Sequence, residues 1–144
     1  ICAAADVARA TFFLHFPLKS ALLLELSRAM AAEWAEHRRG LPEAAPCETL
    51  RQLLEFIVSR DVAPEVASPL LDEFRQDLGE DNPLLTAPGT MLAEVVRLVA
   101  AAQRKRELTA DITARELGMH FHRITSAYVL FAKGSREQRA ARAW

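Results

Sequence analysis

Apolar residues recur at helical spacing along most of the chain. From Lys19 to Arg39, Leu22, Leu23, Leu26, Met30 and Trp34 fall on one side, while Glu25, Arg28, Glu33 and Glu36 occupy much of the other. This predicts a helix over 19–39, stopped by Gly40 and Pro42. Leu50, Leu53, Leu54, Ile57 and Val58 predict a second helix from about Cys47 to Asp61. Ser68 as cap and Pro69 at the first helical position predict a third, with Leu70, Leu71, Phe74 and Leu78 on one face and Gly79 as its stop. A loop with Pro83 and Pro88 follows, over 80–89. Leu92, Val95, Val96, Val99 and Ala102 predict a fourth helix from about Thr90 to Arg106.

The next segment carries two stripes. Ala114, Leu117, Phe121, Ile124, Tyr128 and Phe131 step by three and four, a continuous apolar line on a helix over 113–133. Gly118, Thr125, Val129 and Ala132 form a second line of smaller residues on the same helix. Two faces to bury suggest the bundle core on one side and a second copy of the chain on the other, so these four residues are the expected dimer seam. A further helical run extends from Ser135 to Trp144. No segment alternates with period two between hairpin turns, so the expected fold is all-α.

Composition agrees with a packed domain: 51% of the 144 residues are hydrophobic, 26% are charged and only five are glycine. A net charge of −1 argues, taken whole, against a nucleic-acid or anionic-membrane partner. That total averages unlike regions. Residues 1–39 hold five Lys plus Arg and four Asp plus Glu, residues 40–89 three and ten, and residues 90–144 ten and five. An acidic middle flanked by basic ends directs any phosphate-binding role away from the centre. No apolar run approaches the roughly 20 residues needed to span a bilayer, so no membrane partner is expected. Cys2 and Cys47 form no metal-binding or disulfide pattern. A reducing cytoplasm is the expected compartment.

Candidate chemistry narrows the choice. There is no nucleophile elbow, phosphate-cradling glycine loop or paired-carboxylate motif, so no catalytic residues, no cofactor and no enzyme are expected. His120 and His122, two apart on a helix, point about 200° away from each other and cannot chelate one ion together. Glu116, one turn before His120, would still need further ligands, so no metal is expected either. His120 is instead a candidate for the edge of a pocket. Cys47 has no basic neighbour in sequence to activate it as a redox sensor.

The first 24 residues follow a different plan. A short helical end reaches Ala5, the chain breaks at Asp6 and Val7, a short helix spans about Ala8 to Phe16, and Pro17 ends it before the long helix begins. Helix, tight turn and second helix form the build of a helix-turn-helix reader. Val7, Phe12 and Phe16 are its expected inward anchors, with Arg9, Ala10, Thr11, Phe13 and His15 on or near the outer face. Asp suits the turn because it tolerates positive φ.

The run Ala4-Ala5-Asp6-Val7-Ala8-Arg9-Ala10-Thr11-Phe12-Phe13-Leu14-His15-Phe16-Pro17-Leu18-Lys19-Ser20-Ala21-Leu22-Leu23 resembles the signature of the TetR family of transcriptional regulators. That signature reads approximately A-x-x-A-G-V-S-x-G-T-[LFI]-[YF]-x-[YH]-F-x-x-K-x-x-L. Asp6 stands where the family has a turn glycine, Ala8 where it has a capping serine, and Leu18 at another common cap position.

The resemblance implies a TetR-like helical bundle. Residues 1–24 would be a partial helix-turn-helix DNA-binding domain leading into the linking helix 19–39, and residues 25–144 a helical effector-binding and dimerisation domain. It further implies a chain truncated at the amino end, and the uncapped run to Trp144 suggests the same at the other. DNA would be met by Arg9, Ala10, Thr11, Phe13, His15 and Lys19, with Lys19 on a phosphate near a helix start. Trp34, Phe56, Phe74, Met91, His120 and Phe121 are candidates to line an effector pocket. The expected protein is a homodimeric repressor on a near-palindromic double-stranded operator, released by a small, largely apolar effector. The alternative is a helical ligand-binding or protein-interaction module that no longer reads DNA.

Overall fold

A computed structural model describes residues 2, 5–17, 19–60 and 87–131, with the backbone alone at 19, 20, 126 and 129–131. The described residues form five α-helices and no strands: α1 (Arg9–His15), α2 (Lys19–Arg39), α3 (Pro46–Val58), α4 (Met91–Arg104) and α5 (Ala114–Phe131). The expected helix after Ser68, the loop before Ala87 and the run after Phe131 lie outside the described residues.

The ends of these helices follow local chemistry. Pro46 opens α3, where its missing N–H costs nothing. The next free amide, Cys47 N–H, donates at 2.8 Å to Glu107 Oε2 from the α4–α5 loop, so a carboxylate caps the positive end of α3 from 60 residues away. Thr90 caps α4 by accepting from Ala93 N–H at 3.2 Å. Another amide of that first turn, Met91 N–H, donates to Ser27 Oγ of α2 at 3.1 Å. Thr113 and Glu116 form a capping box ahead of α5: Glu116 N–H donates to Thr113 Oγ1 at 3.2 Å, and Thr113 N–H donates back to Glu116 Oε2 at 3.1 Å.

Where α4 ends, Arg106 takes φ +59°. Arg106 N–H then reaches Gln103 O at 3.0 Å and Glu107 N–H reaches Ala102 O at 2.9 Å. These two bonds define a Schellman stop built without glycine. Gln103 fixes the loop beyond by donating through Nε2 to Thr109 O and Ile112 O, each at 2.8 Å.

α4 is the central helix, packing against α2, α3 and α5, while α3 also meets α5. The core joins Trp34 of α2, Leu50, Leu53 and Ile57 of α3, and Met91, Val95, Leu98 and Val99 of α4. Most positions expected to face inward do so. Leu26, at 42% exposed, turns outward, and Leu98 is a core residue that the expected α4 face omitted.

α5 corrects the sequence expectation. Ala114, Leu117 and Phe121 pack on the core, but Ile124, on the same expected line, is 71% exposed. Two residues of the small-residue line are buried: Gly118, and Thr125, whose hydroxyl donates to Phe121 O at 2.8 Å. At Gly118 the backbones come close, since a Cβ placed there would stand 2.8 Å from Val96 Cγ2 and 3.3 Å from Val96 Cα. The Gly118 face expected at a dimer seam is therefore covered by α4 of its own chain. The side chain of Val129 and all of Ala132 lie outside the described residues.

Candidate functional site

The amino-terminal unit is built around Asp6. Its φ of +50° is the left-handed geometry that the expected turn requires. Val7 N–H donates to Cys2 O at 3.0 Å across that turn, the six-residue closure of a Schellman stop. α1 then begins after Ala8, which makes no side-chain cap, and ends at His15, with Phe16 N–H bonded to Phe12 O. The ring of Phe12 packs on those of Phe16 at 5.2 Å and Phe13 at 5.5 Å.

α1 contains no buried residue. Arg9, Ala10, Thr11, Phe13 and His15 are all exposed, and so is Leu14 at 79%, so exposure runs around most of this short helix. Lys19 starts α2, its side chain lying outside the described atoms. Of the expected anchors, Phe12 and Phe16 are half-buried and Val7 is 37% exposed.

The six expected pocket residues have separate fates. Trp34 and Met91 are fully buried in the core, Phe56 and Phe121 pack against it, His120 is exposed on α5, and Phe74 lies outside the described residues. Phe56 is held between the Trp34 ring at 5.5 Å and the Arg60 guanidinium at 4.8 Å, with Arg60 also paired to Glu33.

A cavity of about 740 Å³ opens elsewhere, on the outer side of α2 and α4, and shares only Trp34 with that set. Its floor is Ala31, Ala32 and Ala35 of α2 with Ala93 of α4. Among the described residues its rim carries Arg28, Arg38, Arg39 and Arg97 with one acid, Glu94, and Gly89 and Thr90 stand at one end. Glu94 is already engaged. It takes a two-pronged contact from Arg97 at 2.7 Å and the Trp34 indole N–H at 3.4 Å. The hydrogen bonds that Arg97 donates to Glu94 raise its pKa above the ordinary value. Arg28 and Arg39 pair with Glu25 and Glu36 of their own helix, whereas Arg38 makes no ion pair among the described residues.

This groove was legible as Arg28, Ala31, Ala32, Ala35, Arg38 and Arg39, an arginine-flanked stripe of alanines at helical spacing. Sequence reasoning passed over it because alanine on the polar side of a helix reads as filler.

Among the described residues, no group of three or more His, Cys, Asp or Glu stands together to hold a metal. Glu116 faces its capping partner Thr113, whose hydrogen bonds lower its pKa. Burial, with the Glu107 hydrogen bond and charge beside it, pushes the Cys47 thiol up. Desolvation lowers the His122 imidazole to about 4. No helix among the described residues is long and apolar enough to cross a membrane. Comparison with family models, curated proteins and solved structures finds no match to this chain.

Proposed function

We propose that this chain belongs to a DNA-binding transcriptional regulator of the TetR type, acting as a homodimeric repressor that a small effector releases from its operator. The observation that carries the reading is α1: seven residues, bounded by the left-handed Asp6 and by Pro17, of which only Phe12 is half-buried, leave Arg9, Ala10, Thr11, Phe13 and His15 exposed. A short exposed helix followed at once by a long one suits insertion into a major groove, with the long helix transmitting movement from the bundle. Thr11 and His15 would contact the backbone or base edges, Phe13 would give apolar contact, and Lys19 would bind a phosphate.

Two copies on a near-palindromic site would set the half-site spacing through their separation. An effector that binds more tightly to the copy spacing unsuited to DNA would shift the population off the operator by that differential affinity. The test is a salt-titrated mobility-shift assay of the full chain on its own promoter DNA. Lys19→Ala should weaken binding and reduce the salt slope by about one phosphate contact, and Thr11→Ala should weaken it at every salt concentration. Undiminished binding by both variants refutes the DNA reading. In that event the groove between α2 and α4, which owes nothing to α1, favours the second reading of a helical ligand-binding module.

A further inference from the structure

We infer that the groove between α2 and α4 is a binding site for an amphipathic organic anion, its apolar body on the alanine floor and its charged head among the arginines. This site shares only Trp34 with the core cluster, and its charged ligand differs in kind from a largely apolar effector.

Three observations carry the assignment. The cavity, about 740 Å³, falls within the roughly 300–1,000 Å³ typical of small-molecule sites. Four alanine side chains, beside the edge of Trp34, leave a smooth apolar floor that a ring or short chain can cover. Among the described residues the rim holds four guanidinium groups against one carboxylate, and that carboxylate is occupied by Arg97 and Trp34. Arg28 and Arg39 sit in exposed pairs with acids one turn away, contacts worth little in water and readily exchanged for a ligand. Arg38, half-buried and without an ion-pair partner among the described residues, is the group best placed to receive the head. Planar guanidinium forks suit a carboxylate, sulfonate or phosphate alike.

The assignment is independent of DNA reading, because its test contains no DNA. The fluorescent sulfonate 1-anilinonaphthalene-8-sulfonate is titrated into the full chain beside its uncharged analogue N-phenyl-1-naphthylamine, with circular dichroism confirming that each variant is folded. Arg38→Gln should weaken sulfonate binding about tenfold, as expected for one charge-assisted hydrogen bond, and leave the uncharged probe unaffected. Ala35→Trp, at an exposed helix position, should fill the floor and abolish binding of both probes. Sulfonate affinity unchanged by Arg38→Gln and by Ala35→Trp overturns the assignment and places the dye on other apolar surface, such as Phe13 and Leu14.

Discussion

Gly118 lies against Val96 so closely that a single added methyl group would meet Val96 Cγ2 at 2.8 Å. This is where α5 settles onto α4, and an absent side chain sets the separation of the two helices. Gly118→Ala gains helix propensity of about 1 kcal/mol but overpacks the contact, at a cost of about 1–3 kcal/mol. The expected net result is a loss of stability, read as a lower urea midpoint with unchanged slope. Val96→Ala in the same chain should recover part of it, since Val96 Cα at 3.3 Å remains in the way. Two fully additive losses would mean that the contact does not limit the approach.

His122 makes stability depend on pH in a defined window. Its folded pKa, near 4, lies below the ordinary 6.5 because burial disfavours the cation, so the unfolded chain binds the proton more readily. Stability is therefore complete above about pH 6.5 and falls as the pH drops toward 4, by at most about 3 kcal/mol. Glu48 and Glu116, both held below their ordinary range by hydrogen bonds, add their own losses only near and below pH 4.5. Urea titrations at pH 7.5, 6.0 and 5.0 should show the decline in the wild type and a flatter profile in His122→Gln. A wild-type profile that is level over this range would refute the prediction.

Arg106 closes α4 with φ +59°, a conformation that a β-carbon disfavours. Arg106→Gly should raise stability by roughly 0.5–1 kcal/mol, because the Schellman bonds at Gln103 and Ala102 stay in place while the strain goes. Thermal unfolding reads the effect, and a lower midpoint would show that the Arg106 side chain contributes more than its backbone costs.

Cys47 should be a slow nucleophile. Its thiol is raised by burial and by Glu107, so little thiolate is present at neutral pH. In a Cys2→Ser background, reaction with a disulfide reagent at pH 7.5 should run below the rate of a free cysteine peptide. Glu107→Gln should accelerate it by removing the nearby charge, and the same change should lower stability through the weaker cap on Cys47 N–H.

Much of the helical scaffold follows from local rules. The span of α2 matches the run of apolar positions ended by Gly40 and Pro42, and α4 starts where Thr90 can cap it. The left-handed geometry of Asp6 was equally legible, because aspartate tolerates positive φ, whereas exposure around most of α1, Leu14 included, was not.

Periodicity states which residues share a side of a helix, and it is silent about what stands opposite. α5 has two stripes that could each be buried, and only packing against α4 turned Gly118 inward and left Ile124 out, since the smaller residue permits the closer approach. Trp34 and Met91 show the same division: their burial was foreseeable, but only the assembly of α2, α3 and α4 placed Met91 in the core and set the edge of Trp34 beside the groove. The groove arose from two helices meeting, when the alanines of α2 came beside Ala93 and the arginines of both helices were gathered on one rim. Local sequence therefore set the helices and their polarity, while the pairing of surfaces, and with it the candidate ligand site, depended on distances between residues some 60 positions apart, such as Trp34 and Glu94.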